Sequence, residues 1–309
     1  MKRFLARRLW QVIGTAFGVI TLIFFLQHLT GDPTYLLVPE TATKADIEAL
    51  RKTLGFDRPL IVQYFAFLKQ LASFDLGRSL VQNVPVSTII ASRLPYTLQL
   101  AGGALLVACG IGIPVGIALA LFRKSPIASF LSSFVLAAQS MPTFWSGILL
   151  IMIFAVNLGW LPPSSTGGVQ HLIMPSFALG LLSMATFARI TRTALLDELS
   201  KDYVRTARSR GVPTGRLLLR HLARNASIPV ITVASLEISN LLAGAVIVET
   251  VFAWPGLGQV TVQSILARDF LVVQGVVLLG AFVTIALNLL ADILYSAVDP
   301  RIRLDGARG

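Results

Sequence analysis

Six stretches of the chain each hold about 20 mostly apolar residues, the length an α-helix needs to cross a bilayer. They cover residues 9–29, 96–122, 129–158, 172–190, 228–253 and 272–298. From 125 to 188 the chain has no Asp, Glu, Lys or Arg at all. Helices of soluble proteins seldom exceed about 20 residues, so a charge-free run of this length belongs to a membrane and not to a soluble core. Within the third stretch, Met141-Pro142 predicts a kink or break, since proline lacks the N–H that would continue the helix. Pro114 and Pro175 read the same way, as packing or kinking positions whose freed carbonyls neighbouring helices or Ser/Thr side chains re-satisfy.

Between the first two stretches, residues 30–95 are too polar to span, yet they are patterned. Thr43-Lys44-Ala45-Asp46 has the form of a capping box with Asp in place of Glu or Gln. Ile47, Leu50 and Leu54 follow at helical spacing, and Gly55 is a stop signal. Asp57 and Pro59 open a second helical segment carrying Leu60, Tyr64, Phe67, Leu68 and Leu71. Each helix has one apolar face. That pattern is equally consistent with a docking surface for an extracytoplasmic partner and with local packing on the membrane domain.

Composition changes the picture little and charge changes it more. The chain is 55% hydrophobic and 13% charged, about half the charge of a soluble domain. Its one cysteine, Cys109, excludes an internal disulfide or a cysteine-based metal site. His28, His171 and His221 are scattered without ligand spacing, which argues against a metal site. The net charge of +11 is placed between spans, not on a soluble nucleic-acid face. With the N-terminus inside, the inside segments 1–8, 123–128, 189–227 and 299–309 carry 18 of the 26 Lys and Arg. The positive-inside rule therefore favours both termini in the cytoplasm. The basic start before residue 9 resembles a signal peptide, but the apolar run outlasts a typical h-region and lacks a small-x-small cleavage site; it reads as a retained first span. The expected organisation is a first span at 1–29, an extracytoplasmic helical region at 30–95, a five-span core at 96–303 containing a cytoplasmic loop at 189–227, and a tail at 304–309.

That loop is the most informative segment. Leu195 to Arg210 are good helix formers, Gly211 and Pro213 interrupt them, and helix resumes from Thr214 to Ala226. Gly211 permits a positive φ or a close backbone approach, and Pro213 suits the first turn of a helix. Arg216, Arg220 and Arg224 form one cationic stripe beside Leu218 and Leu222. Read from pattern alone, such a loop lies against anionic headgroups.

The residues also carry a family resemblance. Tyr203-Val204-Arg205-Thr206-Ala207-Arg208-Ser209-Arg210-Gly211, then His221, Arg224-Asn225-Ala226 and Ile228-Pro229, resemble the EAA loop of bacterial ABC importer permeases of the peptide/nickel group. Gly31-Asp32-Pro33, Asp75-Leu76-Gly77-Arg78-Ser79, Gly159-Trp160-Leu161-Pro162, the run from Glu249 to Gly258 and Arg268-Asp269 are similar to that group's first permease subunit, the one found in dipeptide, oligopeptide and glutathione systems. The ordered set runs from about residue 1 to 303. The resemblance implies an all-α polytopic membrane protein with six transmembrane helices and a type I ABC importer permease fold. It implies a multi-pass protein of the bacterial inner membrane that imports peptides or peptide-like solutes by alternating access, with glutathione or a nickel chelate as alternative cargo. Implied partners are a second homologous permease, two ABC ATPase subunits that carry the ATP and Mg²⁺, and an extracytoplasmic solute-binding protein. Arg205, Thr206, Ala207, Arg208 and Gly211 would form the ATPase-coupling element. The general pattern opens with Glu-Ala-Ala where this chain has Arg205-Thr206-Ala207, so the opening Glu has no counterpart.

The chain has no Gly-x-x-x-x-Gly-Lys-[Ser/Thr] phosphate loop; it is expected to be no enzyme, to hold no cofactor and to draw energy from partner subunits. Three acids fall within spans, where ionisable groups are costly and raise a functional hypothesis. Glu237 lies near mid-membrane, a candidate for the translocation path or for hydrogen bonding inside the bundle. Glu249 lies towards the outer interface, where it is expected to snorkel to water. With Trp254, Pro255 and Gly256 it marks the outer mouth, where the resemblance implies a re-entrant or gate-like segment. Asp292 is expected to pair with a nearby arginine. A secondary transporter would show internal repeats and a membrane-embedded enzyme a catalytic constellation; neither is visible.

Overall fold

The computed structural model describes the backbone of residues 2–29, 43–54, 57–218 and 222–298. Among them the regular structure is helical, with a lone antiparallel bridge between Arg78 and Pro85. The helices are α1 (Lys2–Leu29), α2 (Lys44–Leu54), α3 (Leu60–Ala72), α4 (Val86–Leu121), α5 (Pro126–Ser140), α6 (Thr143–Leu150, continuing as a π-helical stretch Ile151–Asn157), α7 (Val169–Leu199), α8 (Asp202–Ser209), α9 (Thr214–Leu217), α10 (Ala223–Val251), α11 (Leu257–Leu266) and α12 (Phe270–Val298).

Four of these, α4, α7, α10 and α12, are long and apolar enough to span, and α5 with α6 makes a fifth crossing or re-entrant segment bent by 109°. α1 is 28 residues long with an apolar stretch at Trp10–Phe25. The expected break at Met141-Pro142 is present, and its cause is local. Met141, at φ −82° and ψ 126°, holds the extended backbone that a following proline favours. Pro142 then serves as the N-cap of α6.

Element ends differ from the sequence reading, as three cases show. α4 begins at Val86, not 96, and carries Pro95 within it. α7 runs on to Leu199, so residues 189–199 of the expected loop are helix continuing a span. The single helix expected from Leu195 to Arg210 is broken, because Lys201 is extended (φ −75°, ψ 150°) and α8 starts afresh at Asp202. Propensity cannot see this break; the side-chain bonds described below hold it. Gly31-Asp32-Pro33, Gly55, His221, Arg220 and the side chain of Asp292 lie outside the described residues.

The described residues group into two compact units. One contains Tyr96–Gln259 and 286–298, the other Lys2–Pro95 and Val260–Ile285.

In the first unit, α7 is the central helix and packs most extensively on α10. Its buried residues, from Met174 through Ala188 to Leu195, join three apolar clusters with α4, α5, α6 and α10. Lipid tails give two helices no hydrophobic reason to associate, so close backbone packing through small residues does that work. α4 meets α7 in this way. A Cβ on Gly112 would stand 2.5 Å from the Met184 carbonyl oxygen, and one on Gly116 2.5 Å from that of Ala188.

In the second unit, α2 and α3 occupy the predicted segments. Tyr64, Phe67, Leu68 and Leu71 of α3 are half-buried. Phe24 of α1 lies 5.1 Å from Tyr64 and 5.8 Å from Phe67 between ring centroids.

Candidate coupling and gate sites

The segment from Asp202 to Leu217 is a short exposed helix set on a buried apolar base. Val204, Leu217 and Leu222 are buried with Ala120, Ala194, Leu195 and Ala226, and Ala207 and Val212 pack on the same cluster. Arg205, Thr206, Arg208, Ser209, Arg210 and Gly211 are exposed. α8 closes in a Schellman motif: Val212 N–H donates to the Ala207 carbonyl at 3.2 Å and Gly211 N–H to that of Arg208 at 3.0 Å. Gly211 takes the positive φ of 73° that the motif demands. A Cβ there would meet nothing within 4 Å, so the requirement for glycine within this chain is conformational and the space beyond is open.

A polar clasp fixes how α8 leaves α7. Glu198, 8% exposed at the end of α7, accepts from the Tyr203 hydroxyl at 2.5 Å and from Asn225 Nδ2 at 3.3 Å, and pairs with Lys201. It ties α7, α8 and the first turn of α10 to one carboxylate. Partial burial, and then the bond to Glu198, raise the pKa of the Tyr203 hydroxyl above its ordinary value. Sequence reasoning missed Glu198; the available signal was an acid a few residues before Tyr203, at the start of the motif itself.

Glu249 sits in a second cage. It is fully buried in this chain, which corrects the expectation that it snorkels to water. Thr97 Oγ1 donates to its Oε1 at 2.7 Å, and the backbone N–H groups of Gly258 and Gln259 donate to its Oε2 at 2.6 and 3.1 Å. Leu257 N–H donates to Thr97 Oγ1 at 2.8 Å. The free N–H groups at the start of α11 are thus capped by a carboxylate and a hydroxyl from two other helices. A Cβ on Gly258 would stand 2.9 Å from Oε2, and one on Gly256 would fall on the carboxylate itself. Trp254 is buried; its Nε1 donates to the Tyr96 carbonyl at 2.8 Å and its N–H to that of Glu249 at 2.8 Å. Pro255 is half-buried beside it. Glu249, Trp254 and Gly256 are therefore one construction. Glu237 stands apart, about 18 Å away along the same helix; half-buried, it accepts from the buried Ser183 of α7 and, at 3.4 Å, from Asn240.

In the second unit, Asp75-Leu76-Gly77-Arg78-Ser79 and Arg268-Asp269 come together. Asp269 is buried and accepts from Ser79 Oγ at 2.5 Å and from the N–H groups of Leu80 and Val81 at 3.3 and 3.4 Å. Gly77 N–H donates to Asp75 Oδ1 at 2.9 Å, shaping the turn that precedes Ser79. Among the described residues no three His, Cys, Asp or Glu side chains gather as a metal site would need.

Residues 112–304 match the family described as "Binding-protein-dependent transport system inner membrane component", and residues 1–101 match the N-terminal component of the same systems. The chain belongs to this family. Binding-protein-dependent permeases are inner-membrane, multi-pass transport proteins, as the apolar helices here require. Relatives are 40% identical over almost their full length. They include a di/tripeptide transport system permease of Pseudomonas aeruginosa and a glutathione transport system permease of Escherichia coli, each alignment covering 98% of this chain and 99% of the relative. Among solved structures, the methionine ABC transporter MetNI in inward-facing conformations aligns at a TM-score of 0.59 and 19% identity, over 68% of this chain and 96% of that one. An amino acid ABC transporter aligns at 0.53 and 21%, over 68% and 94%. The fold is that of an ABC importer permease.

Proposed function

We propose that this permease is a non-hydrolysing subunit of an ATP-driven importer of peptides or peptide-like solutes, and that α8 and its Gly211 turn are where a separate ATPase pushes on it. The observation that carries the reading is the contrast within that segment: an outer surface of Arg205, Arg208 and Gly211 exposed, and a base of Val204, Leu217 and Leu222 buried, with 1% or less of each exposed. A lipid-facing loop needs no such rigid base, whereas a lever does. The absence of a phosphate loop supports the reading that partner subunits carry ATP and Mg²⁺ and that this chain works without a cofactor of its own. The relatives' names support peptide cargo, and the glutathione permease among them supports a γ-linked peptide as the second reading. A homologous second permease and an extracytoplasmic binding protein complete the assembly proposed here.

The two acids then take different roles. Glu237 bonds to its neighbours but keeps partial exposure, which supports a place along the translocation path. The saturated cage of Glu249 supports a rigid stop, with Trp254, Pro255 and Gly256 as the gate segment it anchors.

Replacing Gly211 by Trp tests the coupling assignment. The variant is expected to insert at normal levels, to lose uptake and to stop co-purifying with the ATPase. Normal uptake by an inserted Gly211→Trp protein would overturn the assignment.

A further inference from the structure

We propose that α3 lies in the membrane interface, with Ile61, Val62 and Phe65 set against lipid acyl chains instead of against an extracytoplasmic protein. This rests on α1 being a span and is independent of the coupling loop. All the residues concerned lie in one compact unit.

The inner face of α3 docks on a defined part of α1. The Tyr64 hydroxyl and Thr21 Oγ1 are 2.7 Å apart, and Phe17 and Phe24 both make ring contacts with Tyr64. These α1 positions are five to twelve residues short of Leu29, about 8–18 Å back along the helix. A helix docked there is beside the apolar run of a span, not beyond it.

The adjoining flank of α3 is uncovered among the described residues. Ile61, Val62 and Phe65 there are 42–62% exposed, and none of the side chains of α3 is fully buried. This face continues the wall of α1 without a polar gap: ring centroids run from Phe17 to Tyr64 at 6.5 Å and from Tyr64 to Phe65 at 6.0 Å. The α1 wall itself exposes Ile13, Phe17, Leu22 and Phe25 by half or more, as a lipid-facing span does. Whatever solvates that wall therefore also solvates Phe65. Water there would leave a large apolar patch that proteins seldom tolerate, whereas lipid makes it favourable.

The ends of α3 fit the same solvent. Exposed Arg58 precedes the helix and exposed Lys69 lies in its last turn, placing a cation at each end of the apolar face where long side chains reach headgroup phosphates. α2 has the other character: its Lys44, Glu48, Arg51 and Lys52 are exposed, so it suits water.

The test uses the full chain with Cys109→Ala, reconstituted in lipid nanodiscs. A nitroxide is placed in turn at Ile61→Cys, Phe65→Cys and, as a water control on α2, Glu48→Cys; Val62→Cys replaces either of the first two that fails to insert. Collision with oxygen and with a water-soluble nickel chelate is then measured. Labels at 61 and 65 are expected to favour oxygen, at about 5–10 Å below the phosphates, while the label at 48 favours the chelate. Chelate access at 61 and 65 equal to that at 48 would overturn the proposal, and so would shielding from both reagents, which would mean a protein cover.

Discussion

Gly211 and Glu198 show what single residues contribute here. Gly211 holds a left-handed backbone at φ 73° with open space around it, so a substitution there acts through strain of about 1–2 kcal/mol and through whatever docks on the outside. Its place was legible because a positive-φ helix stop is a local property of the chain. Glu198 was not legible in that way, because its value comes from Tyr203 and Asn225 being carried to it. Replacing Glu198 by Ala removes two hydrogen bonds to a nearly buried carboxylate. The pair with Lys201, whose side chain is half exposed, adds little. Loss of about 1–3 kcal/mol is expected to appear as local opening of α8. Amide exchange across Asp202–Ser209 should quicken by roughly 5–150-fold, while the amides of α7 near Ala178 stay protected. Unchanged exchange in α8 would show that the apolar base alone holds it.

At the scale of elements, spans were readable and their joints were only partly so. The bend of 109° between α5 and α6 follows from Met141-Pro142, a dipeptide effect. That α7 runs to Leu199 and stops there depends on the clasp and on the burial of Leu195, only 2% exposed, which are tertiary facts. The α4–α7 contact gives a prediction of its own. Gly116→Leu would drive a side chain into the Ala188 carbonyl and Thr191, and overpacking of this kind typically costs 1–3 kcal/mol or more. Gly102, on the same helix, has nothing within 4 Å of a built Cβ. In detergent, the thermal midpoint of Gly116→Leu is expected to fall by several degrees while that of Gly102→Leu stays near the parent. Equal midpoints would remove Gly116 from the helix contact.

For the whole molecule the energy source is the deciding property. A chain without a phosphate loop that belongs to the binding-protein-dependent family is expected to import only with ATP and ATPase subunits present. In vesicles, dissipating the proton gradient should leave uptake intact, and removing ATP should abolish it; the reverse result would make the protein a secondary transporter. Membrane residence, the positions of the apolar runs, the break at Pro142 and the turn at Gly211 were all determined by the sequence itself. Each depends on neighbours a few residues away, through hydropathy, a missing N–H or an allowed φ. What the acids do was set by contacts between distant segments. Glu249 reads as a charge near an interface until Thr97, 152 residues distant, and the start of α11 close around it. Asp269 reads as a loop residue until Ser79, 190 residues away, donates to it. A buried carboxylate's role is set by the donors that reach it, and chain-local pattern carries no information about which donors those are.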